Sequence, residues 1–447
     1  MFAQRKSLIL CGLMAILAFA VSCEDKRTVR AHVTATGALM PIARTLPPLP
    51  ARPLSAKLQE MRERQMAVAS TLRELAWTQD VGMSELSGWE YGTRTSEMAE
   101  ILGGDELRAL GRLAAAGGVL PEGIDLAQLA ASFTAASAGA TYSPLDKQVL
   151  LVGDFKNDSL LTHEFVHALQ DQNFDLMKLL LVRPYNFDRT EALFAVIEGD
   201  AMNVQRRAEE TDALYARRPL DDITRAENNR FKEYREEIGK MFPPLLTESF
   251  IFRYRDGARF VEAIRRRGGE RAVDELFRRP PASSEQILHT EKYLSNEAPQ
   301  VINIDEQAFG ENSWTMAAST PLGEIGIRGL LLKELPEREA ARAAAGWGGD
   351  CAYLFENKQK SGARLFVWKT SWDKPADADE FFRAYNSLQR THGNASSTGQ
   401  SSSGQTAQTS WRDGGGRLTI VRREAGSVIV VRGEDTDATT ALEWTVR

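Results

Sequence analysis

The sequence predicts an α+β fold: a mostly helical body with a small edge sheet over residues 54–306, then a smaller α+β domain over 307–447. Three observations lead there. Between 54 and 278 most segments carry apolar residues at helical spacing with charged residues between them. The apolar run Gln148-Val149-Leu150-Leu151-Val152-Gly153, bounded by turn residues, reads as a strand. From about residue 310 the pattern shifts to strand-length segments, Leu365–Thr370, Leu418–Arg422 and Ser427–Arg432, around one helical stretch, Ala376–Leu388.

At the start of the chain, Arg5 and Lys6 precede an apolar run, Ser7–Val21, too short to span a bilayer comfortably. The run ends in Ala20-Val21-Ser22-Cys23, the form of a lipoprotein processing box with Ala20 where leucine is commoner. Residues 1–22 are therefore expected to be a signal peptide and Cys23 an acylated mature N-terminus, tethering the protein to a membrane of the bacterial cell envelope. Cleavage after Ala18-Phe19-Ala20, giving a secreted protein, is the alternative, and an uncleaved anchor the third option. Residues 23–53, with Pro41, Pro47, Pro48, Pro50 and Pro53, predict an extended, semi-rigid spacer. An amphipathic helix through Met61, Met66, Leu72 and Leu75 follows, then shorter helices separated by Gly103-Gly104, Gly117-Gly118 and Pro121.

Composition narrows the function. The net charge of −6 without a large basic block argues against a nucleic-acid partner. With Cys11 lost and Cys23 modified, Cys351 stands alone, so no intramolecular disulfide forms and Cys351 reads as a small buried hydrophobe. Trp347, Trp368 and Trp372 read as core, and the Ser-, Gly-, Gln- and Thr-rich segment 392–410 as a flexible insertion.

The chemistry concentrates in His163-Glu164-Phe165-Val166-His167. One helical turn separates the two histidines, so both imidazoles leave the same face and can hold one Zn²⁺. Glu164 lies about 100° around the helix, beside the metal rather than on it. From there it can take a proton from the attacking water and pass it to a leaving amine. Asn157-Asp158-Ser159 supplies a helix start, and Leu161, Phe165, Ala168 and Leu169 a core-facing stripe.

A hydrolytic zinc site needs a third protein ligand and one open position. The metzincin arrangement places Gly and His three and six residues after the second histidine, where this chain has Gln170 and Asn173. A glutamate on a following helix is the remaining common solution. Glu198 sits among apolar residues of a helical stretch, a costly place for a carboxylate unless it is paired or metal-bound, and is the expected ligand. Glu191, nearly two turns earlier on the same face, competes, and Asp200 points elsewhere as an outer partner.

His163–Gln172, followed by Ile197-Glu198-Gly199-Asp200-Ala201, resembles the gluzincin type of zinc metallopeptidase. More narrowly, the chain is similar over about 60–390 to a group of bacterial secreted or lipid-anchored peptidase-like proteins. Further matches to that group are Phe252–Val261, Ser284–His289 and Gly346–Asp350. Thr290 follows His289 where the group's pattern has proline. The resemblance implies a zinc-dependent peptidase and a substrate-holding edge strand ahead of the zinc helix, a place Gln148–Val152 would fill; an internal strand is the alternative. His289, in a polar loop, is a candidate donor to the oxyanion, with Tyr254 and Tyr293 as rivals and a structural role as the alternative. The expected function is hydrolysis of a polypeptide. A binding or assembly lipoprotein with a structural zinc, and a metallohydrolase of a non-peptide amide such as cell-wall material, are the alternatives.

Overall fold

The computed structural model describes residues 46–446 except 138, 154, 156, 183 and 392–395. The expected signal peptide over 1–22, Cys23 and the first part of the spacer lie outside these residues. Where the spacer is described, it is docked. Leu46 and Leu49 pack on the helical core, and Pro47 O accepts a hydrogen bond from Arg94 Nη1 at 2.9 Å. Among the described residues no helix is long and apolar enough to cross a membrane.

The helical body begins with α1 (Ala56–Arg73), capped by the Ser55 side chain. Strand β1 (Gly82–Leu86) follows within a region expected to be wholly helical. Helix α2 (Gly88–Ala116) starts in a reciprocal Ser87–Glu90 capping box and bends at Gly103, whose φ of 139° only glycine adopts readily. After α3 (Leu126–Ser137) come β2 (Ala140–Ser143) and β3 (Gln148–Val152). The three strands form a sheet in the order β1-β3-β2, with β3 parallel to β1 and antiparallel to β2. Gln148–Val152 is thus the central strand, and the edge strand before the motif helix is Ala140–Ser143. A continuous apolar run marks a strand covered on both faces, and Val149, Leu150 and Leu151 are fully buried.

Three helices carry the centre of the body: α4 (Asp158–Phe174), α6 (Phe187–Glu210) and α9 (Pro244–Arg278), with short α5 (Leu176–Leu180) and α7 (Asp212–Ala216) and the longer α8 (Leu220–Ile238) between them. Asn157 and Asn186 cap α4 and α6 through side chains that accept the first free N–H groups. Helices α6 and α9 approach at backbone contact. A Cβ on Gly199 would stand 2.3 Å from Gly257 C, and one on Gly257 2.2 Å from Ala195 O. This close crossing fixes the segment of α6 that carries Glu198.

Short helices α10 (Ser284–Leu288), α11 (Thr290–Leu294) and α12 (Glu306–Glu311) lead into the second half. Seven strands form one antiparallel sheet in the order β4-β5-β6-β10-β9-β8-β7: β4 (Trp314–Thr320), β5 (Trp347–Asn357), β6 (Arg364–Trp372), β7 (Ser396–Ser403), β8 (Thr406–Arg412), β9 (Leu418–Glu424) and β10 (Ser427–Gly433). Helices α13 (Gly323–Leu331), α14 (Glu337–Ala344) and α15 (Pro375–Thr391) share a core with one face, and α12 and α16 (Asp435–Val446) with the other. The fold is α+β, as the sequence predicts. Much of the segment expected to be a flexible insertion is instead the β7–β8 hairpin. An edge strand needs only one hydrogen-bonded neighbour, so the exposed, serine-rich β7 is held by its backbone rather than by burial.

Trp347, Trp368 and Trp372 are buried in this core. The indole nitrogens of Trp347 and Trp368 donate to Asp350 at 3.0 and 2.7 Å, and Asp350 also accepts from Leu322 N and Gly323 N, each at 2.9 Å. The Gly346–Asp350 motif is therefore a structural tie across the sheet. Cys351, half-buried on β5, is a free thiol among the described residues, and burial pushes it up to about 12.

Candidate metal centre

His163 and His167 project from α4 with their rings 4.6 Å apart, and α6 brings Glu198 against both. Glu198 Oε2 lies 3.2 Å from His163 Nε2 and 3.4 Å from His167 Nε2, and one ligand atom from each residue falls within a 4.8 Å group. Ligands about 2.0–2.1 Å from a tetrahedral ion stand about 3.3 Å from one another. The observed separations match that edge. His167 Nε2 is buried without a hydrogen-bond partner, a lone pair that a cation between it and Glu198 would satisfy.

An outer layer fixes this arrangement. His167 Nδ1 meets Gln170 Oε1 at 2.9 Å. The Gln170 amide nitrogen donates to Ile197 O at 3.0 Å and Asp200 Oδ2 at 2.9 Å, so its oxygen must face the imidazole. Nδ1 is then the donor and Nε2 the free acceptor. Asp200 is anchored in turn by Arg73 Nε at 2.8 Å, with both side chains buried. Without an ion, burial pushes the His163 imidazole down to about 4. For His167 the burial penalty is outweighed by the Glu198 carboxylate, which raises it to about 9. Without an ion a proton on Nε2 faces Glu198, and an ion taking that lone pair would displace it. Against its own burial penalty, Glu198 is held near 2 by His167 and His163.

Glu164 sits beside the group, on the side of the small sheet. Its Oε2 accepts the Tyr142 N–H at 2.6 Å, from the edge strand β2. All four motif side chains are at most 1 % exposed, as are their surroundings on α4. The group is closed to solvent in this arrangement. Tyr254 on α9 stacks near His163, with ring centroids 6.2 Å apart, whereas Tyr293 lies elsewhere, its hydroxyl donating to Arg279 O at 3.2 Å.

Glu191 is not part of the group. Arg253 grips it in a buried fork, with Nε 2.8 Å from Oε2 and Nη2 2.5 Å from Oε1, and the guanidinium also lies 4.4 Å over the Phe194 ring. Glu191→Ala is expected to keep the metal and to lose about 3–5 kcal/mol of stability, the usual consequence of stranding one buried charge. Metal analysis and chemical denaturation of that variant check both halves.

His289 is not brought to the metal group. Its Nε2 lies 3.0 Å from Glu324 on α13, and α10, which it terminates, is tied through Ser284 to Asp188 at the start of α6. That contact is ten residues of helix before Glu198, about 15 Å along α6. The oxyanion role expected for His289 therefore finds no support in its placement, and Tyr254 is the rival that lies near the ligands. The Glu324 hydrogen bond raises the His289 pKa, with Glu285 and Glu291 adding to it. The His289 share of stability is thus present below about 6.5 and fades as pH rises through the raised value. At the acid end the pair is lost as Glu324, raised by its own burial, takes up a proton. His289→Ala should lower thermal stability more at pH 6 than at pH 9 and leave any hydrolysis unchanged; reduced turnover at intact stability would restore the oxyanion role.

Sequence reasoning missed Gln170, Tyr142 and Arg73. Gln170 had a readable signal, since it lies three residues after His167 and shares its helix face. The partners of Glu164 and Asp200 depend on contacts 22 and 127 residues apart, which no local pattern carries. Residues 312–443 match the family described as Domain of unknown function (DUF8575), which covers the strand-rich half and less than a third of the chain. No curated protein and no solved structure matches the chain.

Proposed function

We propose that this protein is a zinc-dependent peptidase of gluzincin type, with His163, His167 and Glu198 holding the ion and Glu164 as general base. The observation that carries the reading is the convergence of two imidazole nitrogens and one carboxylate oxygen at tetrahedral spacing, with a second carboxylate beside them. Two imidazoles and a carboxylate suit zinc and leave a coordination position open. When bound, the ion supplies Lewis acidity toward a scissile carbonyl and toward water.

The remaining work belongs to the chain. Glu164 accepts the proton of the attacking water and returns it to the leaving amine, so the cleaved bond ends as a carboxylate and an amine. The Tyr142 N–H orients that carboxylate and couples it to the edge strand. Displacing β2 locally would expose the N–H row against which an extended peptide pairs. Gln170, Asp200 and Arg73 position His167. By the same reading the substrate is a polypeptide, no nucleic acid is bound, and Cys23 carries the lipid that keeps the enzyme at the cell envelope.

Full burial of the group favours a second reading, a structural ion in a binding or assembly protein. The discriminating experiment measures cleavage of a denatured protein mixture by the full chain as isolated, after chelation, and after zinc is restored. Chelator-sensitive, zinc-restored cleavage is expected. Stoichiometric zinc without cleavage of any peptide would favour the structural reading, and cleavage of cell-wall amides alone would make the enzyme a non-peptide amidase.

A further inference from the structure

A cavity of about 230 Å³ lies where the end of α2 meets α13, α15 and the seven-stranded sheet, well apart in sequence from the metal ligands. It has room for roughly seven or eight waters at liquid density, or one ligand of about ten heavy atoms. Its charge is unbalanced. Lys333 Nζ donates to Gly118 O at 2.8 Å and has no ion pair with a carboxylate among the described residues. Arg432 reaches in from β10, with Nη2 donating to Asp413 Oδ2 at 2.6 Å and Nε buried without a partner. Asp413 is already shared, for its carboxylate also accepts from Gly415 N at 2.9 Å and Arg417 N at 3.0 Å.

The backbone is shaped around the guanidinium. Gly118 has a φ of +73°, and a Cβ there would stand 2.3 Å from Arg432 Nη1. Conformation and close approach both require glycine at this position. Burial lowers the Lys333 pKa and the Arg432 charge lowers it further, with the neighbouring Glu334 carboxylate offsetting only part of this. Tyr385 is 2 % exposed, lines the cavity, and its hydroxyl has no hydrogen-bond partner among the described residues. Trp411 spends its indole N–H on Asn386 Oδ1 at 2.7 Å, leaving its ring, with Leu330 and Leu388, as apolar wall.

We propose that this cavity binds a small carboxylate with an apolar body, its anionic end meeting Lys333, the Arg432 guanidinium and the Tyr385 hydroxyl and its body resting on Trp411 and the leucines. An excess of cationic donors selects the anion, and an apolar wall favours an organic acid over inorganic phosphate. Because the lining comes from both the helical body and the sheet domain, occupancy joins the two halves. The site stands independently of the metal centre.

The test uses the full chain, with benzoate, benzamide and inorganic phosphate as probes in calorimetric titration and thermal unfolding. Benzoate is expected to bind saturably and raise Tm, with benzamide and phosphate at least about tenfold weaker, in keeping with loss of a charge-assisted hydrogen bond or of apolar contact. Lys333→Gln should weaken benzoate about ten- to a hundredfold and Tyr385→Phe about three- to tenfold, with circular dichroism and zinc content unchanged. If Lys333→Gln fails to fold, Tyr385→Phe decides alone. Absence of saturable benzoate binding up to ~10 mM, equal affinity for benzamide, tighter binding of phosphate, or unchanged affinity in the folded variants would each overturn the assignment.

Discussion

Glu164→Gln is expected to retain about one zinc per chain and to lose about 10²–10⁴ in kcat, the range typical of a missing general base. The substitution keeps the shape of the side chain, and its amide oxygen can still accept the Tyr142 N–H that Glu164 Oε2 accepts at 2.6 Å. What it removes is the capacity to take up a proton. If chemistry limits turnover, kcat and kcat/KM fall together while the folding midpoint stays near that of the parent. Measuring both constants on one peptide, beside metal content and Tm, separates a chemical loss from a folding loss. Parent-level cleavage by this variant would end the peptidase mechanism, whatever the metal content.

The motif helix was legible because its signals are local. A capping asparagine, two histidines one turn apart and an apolar stripe all fall within residues 157–169, and helix period alone puts both histidines on one face. Glu198 was legible through cost, since a carboxylate amid Ala195, Val196 and Ile197 demands a partner. Its apolar neighbours already favoured it over Glu191; what needed the fold was a partner for Glu191, which is buried on the same face. Only the crossing of α6 with α9 shows that Arg253 claims Glu191. The placement of His289 was not legible for the complementary reason. Its sequence surroundings are polar, but its partner Glu324 is 35 residues away on an element that arrives from the second half of the chain.

Strand order was the least legible feature of the body. Gln148–Val152 was recognisable as a strand, yet its place in the sheet depends on β1, a segment with glycine, serine and glutamate that carries little strand signal of its own. Pairing with β3 makes it a strand; its sequence does not. The β7–β8 hairpin repeats the lesson at the far edge of the larger sheet. Composition measures how much surface a segment can bury, whereas β7 depends on backbone hydrogen bonds to β8, which burial-based reasoning does not count.

The sharpest separation of ligand from neighbour comes from Glu198→Ala set against Glu191→Ala. Removing Glu198 deletes the carboxylate that, among the described residues, faces both His163 Nε2 and His167 Nε2, at 3.2 and 3.4 Å. Two imidazoles on one helix remain, without the negative charge that opposes the ion. Outer partners of metal ligands already contribute about 10–100-fold in affinity, so loss of a direct ligand should exceed that range. Elemental analysis after dialysis should therefore find about one zinc per chain in the parent and in Glu191→Ala, and essentially none in Glu198→Ala. Thermal unfolding provides a second, independent readout. An ion that binds only the folded chain raises Tm with its concentration, so chelator should lower the Tm of the parent and of Glu191→Ala but leave Glu198→Ala where it stands. Affinity in the parent should also weaken as pH falls, because protons compete for the same nitrogens. If Glu198→Ala keeps stoichiometric zinc and a chelator-sensitive Tm while Glu191→Ala loses both, the third ligand is Glu191, and the Arg253 fork must open when the ion enters.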